Sequence, residues 1–154
     1  MKKVLIVQST FPPEGSSTVA VWMIEALKKE CSVSLLTWKP IDLGEINRFH
    51  STSLSNSELT VLCVNPALRK LIELDTDPGS IQKTAYLSRV CKRTRKNYDV
   101  IISTEYESDF GVKGIQYIHY PWFDHLYAKP QPSFDWPWYR KLWAFLKDIL
   151  VLGF

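Results

Sequence analysis

Residues 1–30 have the sequence MKKVLIVQSTFPPEGSSTVAVWMIEALKKE, and this stretch decides the fold. Its apolar run, residues 4–7, is rich in β-branched side chains, which is typical of strands buried on both faces of a parallel sheet. Pro12, Pro13 and Gly15 then interrupt the apolar pattern, and a helical pattern covers residues 17–30. Strand, glycine-containing turn and helix in this order predict the opening of a doubly wound α/β domain. In such a domain, ligands bind outside the carboxyl ends of the strands.

The loop between this strand and this helix allows two interpretations. In the first, the backbone N–H groups of Ser16, Ser17 and Thr18 bind an anion such as a phosphate, helped by the helix dipole. In the second, Gly15 serves the turn and Ser16 or Ser17 caps the helix. The loop has one glycine and no Lys-Ser/Thr pair, so it is neither a dinucleotide-binding glycine motif nor a P-loop. From the loop alone, the capping interpretation is favoured.

Composition predicts one folded domain. The chain has 154 residues, 45% hydrophobic and 23% charged, and a net charge of +3 that is too small to indicate a nucleic-acid partner. Cys31, Cys63 and Cys91 are odd in number and lie in apolar runs, so we expect three buried thiols and no disulfide or metal site. No stretch has the length of a signal peptide or a transmembrane helix, so we expect a cytoplasmic protein whose membrane contact, if any, is peripheral.

The rest of the chain alternates between strand and helix patterns. We predict strands near residues 3–8, 32–37, 59–64, 99–103 and 115–119, with helices at 17–30, 43–49, 66–74 and 80–96. This alternation predicts a parallel sheet with helices on both faces. Within it, Trp22 is expected to fill the core and His50 to lie in an exposed loop. The carboxylates of residues 75–79 are explained by Asp-Pro-Gly turn chemistry and not by a metal.

Several segments together resemble the GT4 family of retaining glycosyltransferases. The run 4–7 followed by Phe-Pro-Pro-Glu-Gly at 11–15 resembles the family's N-terminus, and Asp-Val-Ile-Ile-Ser at 99–103 resembles a later strand. Gln-Tyr-Ile-His-Tyr-Pro at 116–121 is similar to the branch that contains the eukaryotic lipid-linked-oligosaccharide α-1,2-mannosyltransferases. Residues 139–154 resemble the helix that follows in that branch. The resemblance covers nearly the whole chain, although the first loop has Gly-Ser-Ser where the family often has several glycines.

This resemblance implies the N-terminal half of a GT-B enzyme, which consists of two Rossmann-like domains. Residues 1–154 would be the single acceptor-side domain, and the nucleotide-sugar domain would be absent. Gly15 and Ser16 would face the donor diphosphate, and His119 would contact the transferred sugar, a role that suits an imidazole near neutral pH. From periodicity alone, the favoured interpretation of His119 is a buried histidine whose ring is satisfied by the backbone at a sheet edge. The acceptor-side candidates are Glu105, Tyr106 and Tyr120. The implied substrates are a UDP- or GDP-hexose and a saccharide or lipid-linked acceptor, with no metal.

The C-terminal segment 137–154 has tryptophans and basic residues at helical spacing. This pattern is typical of an interfacial membrane helix, which would place the protein at the inner face of a membrane, and also of a helix packed on another domain. Packing is slightly favoured. Three functions therefore remain open: the acceptor half of a glycosyltransferase, a stand-alone Rossmann-like ligand-binding module, and a peripheral membrane or scaffold protein. The sequence does not name the sugar, nucleotide, acceptor or linkage.

Overall fold

Five parallel strands form the sheet on which the described chain is built. A computed structural model describes residues 1–12, 15–73, 80–105, 108–118 and 138. The strands are β1 Lys2–Val7, β2 Cys31–Thr37, β3 Leu59–Cys63, β4 Val100–Ser103 and β5 Ile115–Gln116. The helices are α1 Ser16–Leu27, α2 Leu43–His50, α3 Pro66–Ile72 and α4 Ser80–Thr94, and a 3-10 turn, Arg95–Asn97, follows α4.

The strand order is β3-β2-β1-β4-β5, with every neighbouring pair parallel. From β1 the chain builds outward to β2 and β3 on one side, and it then crosses back to place β4 and β5 on the other. The strand order therefore reverses between β1 and β4. Crevices at such a switch point are the places where open α/β sheets bind ligands. The predicted Rossmann-like, doubly wound parallel sheet is confirmed.

Two apolar layers cover the two faces of the sheet, because side chains alternate along each strand. On one face Val4 and Ile6 pack with Ile24 of α1 and Ile46 of α2. On the other face Leu5 belongs to a second cluster, whose further members lie on or next to strands β1–β4, on α3 and α4, and in the connection before β5: Val7, Leu36, Trp38, Val64, Ile72, Leu87, Cys91, Ile101 and Phe110. Central strand β1 is thus buried on both sides, as its apolar run predicted.

The expected core position of Trp22 is wrong. Trp22 is 50% exposed. Helix α1 buries Ser17, Ala20, Val21 and Ile24, and at 100° per residue Trp22 lies on the opposite side of the helix. The apolar arc of this helix is therefore wider than the face that packs.

His50 is also placed differently from the prediction. It is the last residue of α2 and is buried, since it lies one turn after the buried Ile46. Of the three cysteines expected to be buried, Cys91 is buried, Cys31 is half-buried and Cys63 is exposed. Cys63 ends the edge strand β3, where one side of the strand has no neighbouring strand in the described sheet. Burial raises the pKa of the Cys91 thiol to about 12.

Some boundaries and segments differ from the predicted ones. Helix α1 ends at Leu27 and not at residue 30, and β5 is two residues long, so residues 117 and 118 are not in a strand. The predicted turn at 75–79 and the predicted helix 137–154, apart from Trp138, lie outside the described residues. No helix in the described part of the chain combines the length and apolarity needed to cross a bilayer.

Candidate functional site

Gln8 organises the carboxyl edge of the sheet at the switch point. It follows β1 directly and has no exposed surface. Its Nε2 donates to the carbonyl of Thr10 at 2.9 Å and to Oγ of Ser16 at 3.0 Å. Its Oε1 accepts a hydrogen bond from the Thr104 hydroxyl at 2.6 Å. Because Thr104 follows β4, this one buried amide ties together the ends of β1 and β4 and the start of α1.

Gly15 turns the chain into α1 through a backbone conformation with φ 63° and ψ −130°. Glycine adopts this region without the steric penalty that a Cβ brings. Apart from its chain neighbours, no described residue would have an atom within 4 Å of a Cβ placed on Gly15, so the described part of the chain leaves the space beside this backbone open. Gly15 is itself the N-cap, with Ser16 as the first helical residue. The turn role of Gly15 is therefore confirmed, whereas neither serine occupies the predicted capping position.

The first two residues of α1, Ser16 and Ser17, form hydrogen bonds to residues that precede the helix. Oγ of Ser16 accepts from Gln8, and the Ser17 hydroxyl donates to the carbonyl of Pro12. The Thr18 N–H donates to the carbonyl of Gly15 at 3.1 Å. These bonds fix the start of α1 relative to Gln8 and Pro12.

Glu105 lies beside the same switch point. Its Oε2 accepts the backbone N–H of Ser9 at 2.8 Å. Burial raises the pKa of the Glu105 carboxyl, and the hydrogen bonds from Ser9 and the charge of Lys83 oppose that rise without cancelling it. Carboxyls with a raised pKa are among the groups that act as general acids or bases in enzymes.

A small cavity of about 10 Å³ adjoins Glu105 and is lined by Val7, Ser9, Thr84, Leu87, Ser103, Glu105 and Ser108. The Thr84 hydroxyl is buried and has no hydrogen-bond partner within the described ranges. A volume of this size is about that of one water molecule, and a water there would have polar partners on both the helix and the strand side. This cavity lies beside Glu105 and is too small for a substrate.

A much larger groove of about 360 Å³ lies on the other side of Ser9, between the carboxyl ends of β1 and β2 and helix α2. Its lining combines aromatic, aliphatic, cationic, acidic and hydroxyl side chains: Ser9, Thr10, Phe11, Thr37, Lys39, Pro40, Ile41, Asp42, Glu45, Ile46, Arg48, Phe49 and His50. We call it the β2–α2 groove. Ser9 lines both this groove and the small cavity, so the groove and Glu105 are neighbours.

The charged side chains of the β2–α2 groove are held in different ways. Oδ1 of Asp42 accepts the N–H groups of Gly44 and Glu45 at 2.8 and 3.2 Å, and so caps α2. Nζ of Lys39 lies 3.4 Å from Oε1 of Glu73. The same Oε1 accepts from the indole N–H of the buried Trp38. This hydrogen bond is the main reason that the pKa of Glu73 is lowered, and Lys39 adds to it against the effect of burial.

On the outer wall of the groove, Arg48 forms no ion pair with any residue that the structure describes. Phe49 is 57% exposed, and its ring contacts the edge of the His50 ring with centroids 4.9 Å apart. The guanidinium and the aromatic surface are therefore available to a ligand.

The structure brings together three of the predicted site residues. Gly15 and Ser16 lie in one loop, and Glu105 reaches the same edge of the sheet through Ser9 and Thr104. His119, Tyr106 and Tyr120 lie outside the described residues. The chain before His119 reaches this edge, since the Tyr117 N–H donates to the carbonyl of Ser103 at 2.8 Å.

Sequence reasoning missed Gln8, Thr104 and the β2–α2 groove. Polar residues directly after buried strands were the available signal, because the ends of parallel strands meet at one edge. Gln8, Thr104 and Lys39 all follow such strands. Arg48 and Phe49 carried no signal of this kind, since they belong to a helix whose position was unknown.

Comparison with known proteins adds little to this description. No family model matches the chain, and no curated protein matches it. Among solved structures, the chain is similar to HepE of Anabaena, solved in complex with UDP and glucose, with 15% sequence identity and a TM-score of 0.35. The match covers 68% of this chain and 24% of that chain, so it spans about a quarter of the Anabaena protein. A likeness this weak carries no argument about function.

The described residues contain no cluster of three or more His, Cys, Asp or Glu side chains placed to hold a metal ion.

Proposed function

We propose that this chain is the acceptor-side, N-terminal domain of a retaining glycosyltransferase of the GT-B type. The family would be GT4, and the branch would be that of the lipid-linked-oligosaccharide α-1,2-mannosyltransferases, on the resemblance of residues 4–15, 99–103 and 116–121. A second domain would bind the nucleotide sugar, a UDP- or GDP-hexose. The acceptor would be a saccharide or a lipid-linked saccharide.

One observation carries the proposal. Gln8 fixes the Gly15 loop to the ends of β1 and β4 at the switch point of a sheet with the order β3-β2-β1-β4-β5. The open space beside Gly15 gives a diphosphate room to approach the backbone. Gly15 and Ser16 are therefore proposed to face the donor diphosphate, and Glu105, Tyr106 and Tyr120 to lie on the acceptor side.

His119 is proposed to contact the transferred sugar. It follows Ile118, where the chain has just passed β5 at the ligand-binding edge of the sheet. A hydrogen bond that strengthens in the transition state would make His119→Ala lower turnover by about 10- to 1000-fold. The fold should be kept, because a ring that contacts the sugar from a solvated cleft would contribute little packing.

The measurement is turnover and thermal midpoint on the same variant of the polypeptide that joins this chain to a nucleotide-sugar domain. His125→Ala, a histidine with no proposed role, is the matched control. If His119→Ala instead lowered the midpoint strongly with near-normal activity per folded molecule, His119 would be structural and this assignment would be wrong.

A stand-alone binding module is the second candidate, and the β2–α2 groove favours it, since a groove of about 360 Å³ is large enough for a small ligand. Calorimetric titration of residues 1–154 with UMP, GMP and AMP tests it. Tight binding of one mononucleotide would favour the module over the glycosyltransferase. A peripheral membrane role through residues 137–154 stays a prediction, tested by cosedimentation with anionic vesicles.

A further inference from the structure

We propose that the β2–α2 groove is a carbohydrate-binding site for one or two uncharged hexose units. The site stands on the geometry and chemistry of the groove. Only the identification of this saccharide as the acceptor rests on the proposed function.

The size of the groove limits the ligand. Sites for small molecules occupy roughly 300–1,000 Å³, and this groove, at about 360 Å³, lies at the lower end of that range. It therefore suits a monosaccharide or a disaccharide. An extended glycan would have to leave the groove after its first units.

Aromatic side chains form one wall. Phe49 is 57% exposed although its neighbour His50 is buried, and Phe11, on the loop after β1, also lines the groove. The negative face of an aromatic ring attracts polarised C–H groups, and a pyranose presents such groups on the face of its ring. Phe49 contributes little to the core, so a ligand that covers it would remove apolar surface from water.

The polar side chains present both donors and acceptors in near balance. Lys39 and Arg48 are cationic, and Asp42 and Glu45 are anionic, so these four charges sum to zero. An anionic ligand would meet Glu45, and a cationic ligand would meet Arg48. A sugar hydroxyl both donates and accepts, so a neutral saccharide matches this mixed set without placing like charges together.

The capped helix makes this arrangement rigid. Asp42 is committed to the amides at the start of α2, and α2 carries Glu45 and, one turn later, the adjacent Arg48 and Phe49. Both the charged groups and the aromatic ring are thus held on one short, fixed element, which lowers the entropy lost on binding.

The test is NMR titration of residues 1–154 with methyl α-mannoside, methyl α-glucoside and methyl β-galactoside, with glucuronate and UDP as charged probes. We expect at least one neutral glycoside to shift the amide signals of α2, and glucuronate and UDP to bind more weakly at this groove. Phe49→Ala should lower the affinity for that glycoside about three- to tenfold, because one aromatic contact is lost. Arg48→Gln should also weaken it.

Matched controls separate the groove from general surface effects. Trp22→Ala removes an equally exposed aromatic ring on α1, outside the groove, and should leave the affinity unchanged. Circular dichroism on each variant establishes that it is folded. The proposal would be overturned if no neutral glycoside bound, if Phe49→Ala bound like the wild type, or if UDP or glucuronate bound the groove more tightly than every neutral sugar.

The outcomes for this site and for the proposed function are distinguishable. Glycoside binding by residues 1–154, with no sugar transfer by the two-domain polypeptide, would support the carbohydrate site and contradict the glycosyltransferase function. Sugar transfer with an acceptor KM that Phe49→Ala leaves unchanged would support the glycosyltransferase function and contradict the β2–α2 groove as the acceptor site.

Discussion

At the scale of the residue, Gly15 is the position where the backbone itself constrains the sequence. Its φ of 63° and ψ of −130° disfavour any residue with a Cβ. We expect Gly15→Ala to destabilise the fold by about 1–2 kcal/mol. Because no described residue other than the chain neighbours has an atom within 4 Å of the added Cβ, Gly15→Ser should cost the same amount. Urea denaturation of both variants measures this, and a stability equal to that of the wild type would contradict the backbone conformation.

Glu105 should make the stability of the chain depend on pH in a defined direction. Burial raises its pKa above the ordinary value of 4.5 in the folded state. A carboxyl group whose pKa is raised on folding contributes stability that is fully present below its unfolded-state pKa. This stability is lost as the pH rises through its folded-state pKa. We therefore expect Glu105→Gln, which stays uncharged, to be more stable than the wild type at neutral pH.

The difference between Glu105→Gln and the wild type should close below about pH 4.5. Denaturant unfolding across the acid-to-neutral range measures it, with the exposed Glu30→Gln as the matched control. If the gap stayed constant over the whole range, the variant would be acting through packing and not through ionisation.

At the scale of the element, α2 depends on its cap. The helix has eight residues, and Asp42 satisfies two of its first amides. We expect Asp42→Ala to cost about 1 kcal/mol, as other lost N-caps do. Asp42→Asn keeps an acceptor oxygen and should cost less. Thermal or urea unfolding measures both, and equal losses for the two would mean that the charge of Asp42, and not its hydrogen bonds, stabilises α2.

At the scale of the whole molecule, the sequence predicted those features that depend on local pattern. The run of residues 4–7 identified a central strand because burial on both faces demands continuous apolarity. The alternation of strand and helix patterns, which is also read from local sequence, predicted the parallel sheet. The length of strand β5 was overestimated. Ile115 is 55% exposed at the sheet edge, so its apolar side chain does not indicate burial.

The candidate site was only partly predictable, because it is assembled from segments far apart in the chain. Gly15 was found from its effect on the local turn. The link from Gln8 to Thr104 joins residues 96 positions apart, and no local pattern encodes such a pairing. The β2–α2 groove likewise required the position of α2 against the loop after β1, which propensity and periodicity do not determine.

The last prediction concerns the chain by itself: residues 1–154 should transfer no sugar. Departure of a nucleoside diphosphate develops negative charge, which a glycosyltransferase must stabilise with cations and hydrogen-bond donors. Beside the Gly15 loop, Gln8 and Thr104 are neutral and are bonded to one another. Glu105, when ionised, would repel the diphosphate. Most of the stabilising groups must then come from the proposed second domain.

Incubation of residues 1–154 with UDP-glucose or GDP-mannose labelled in the sugar, with methyl α-mannoside as acceptor, measures this directly. We expect no labelled disaccharide above the level of a protein-free control. Turnover in the range of ordinary enzymes, about 1–10³ per second, would mean that the described edge of the sheet suffices for catalysis. The division of labour between two domains would then be wrong, since the donor groups needed for the leaving diphosphate would lie within this chain.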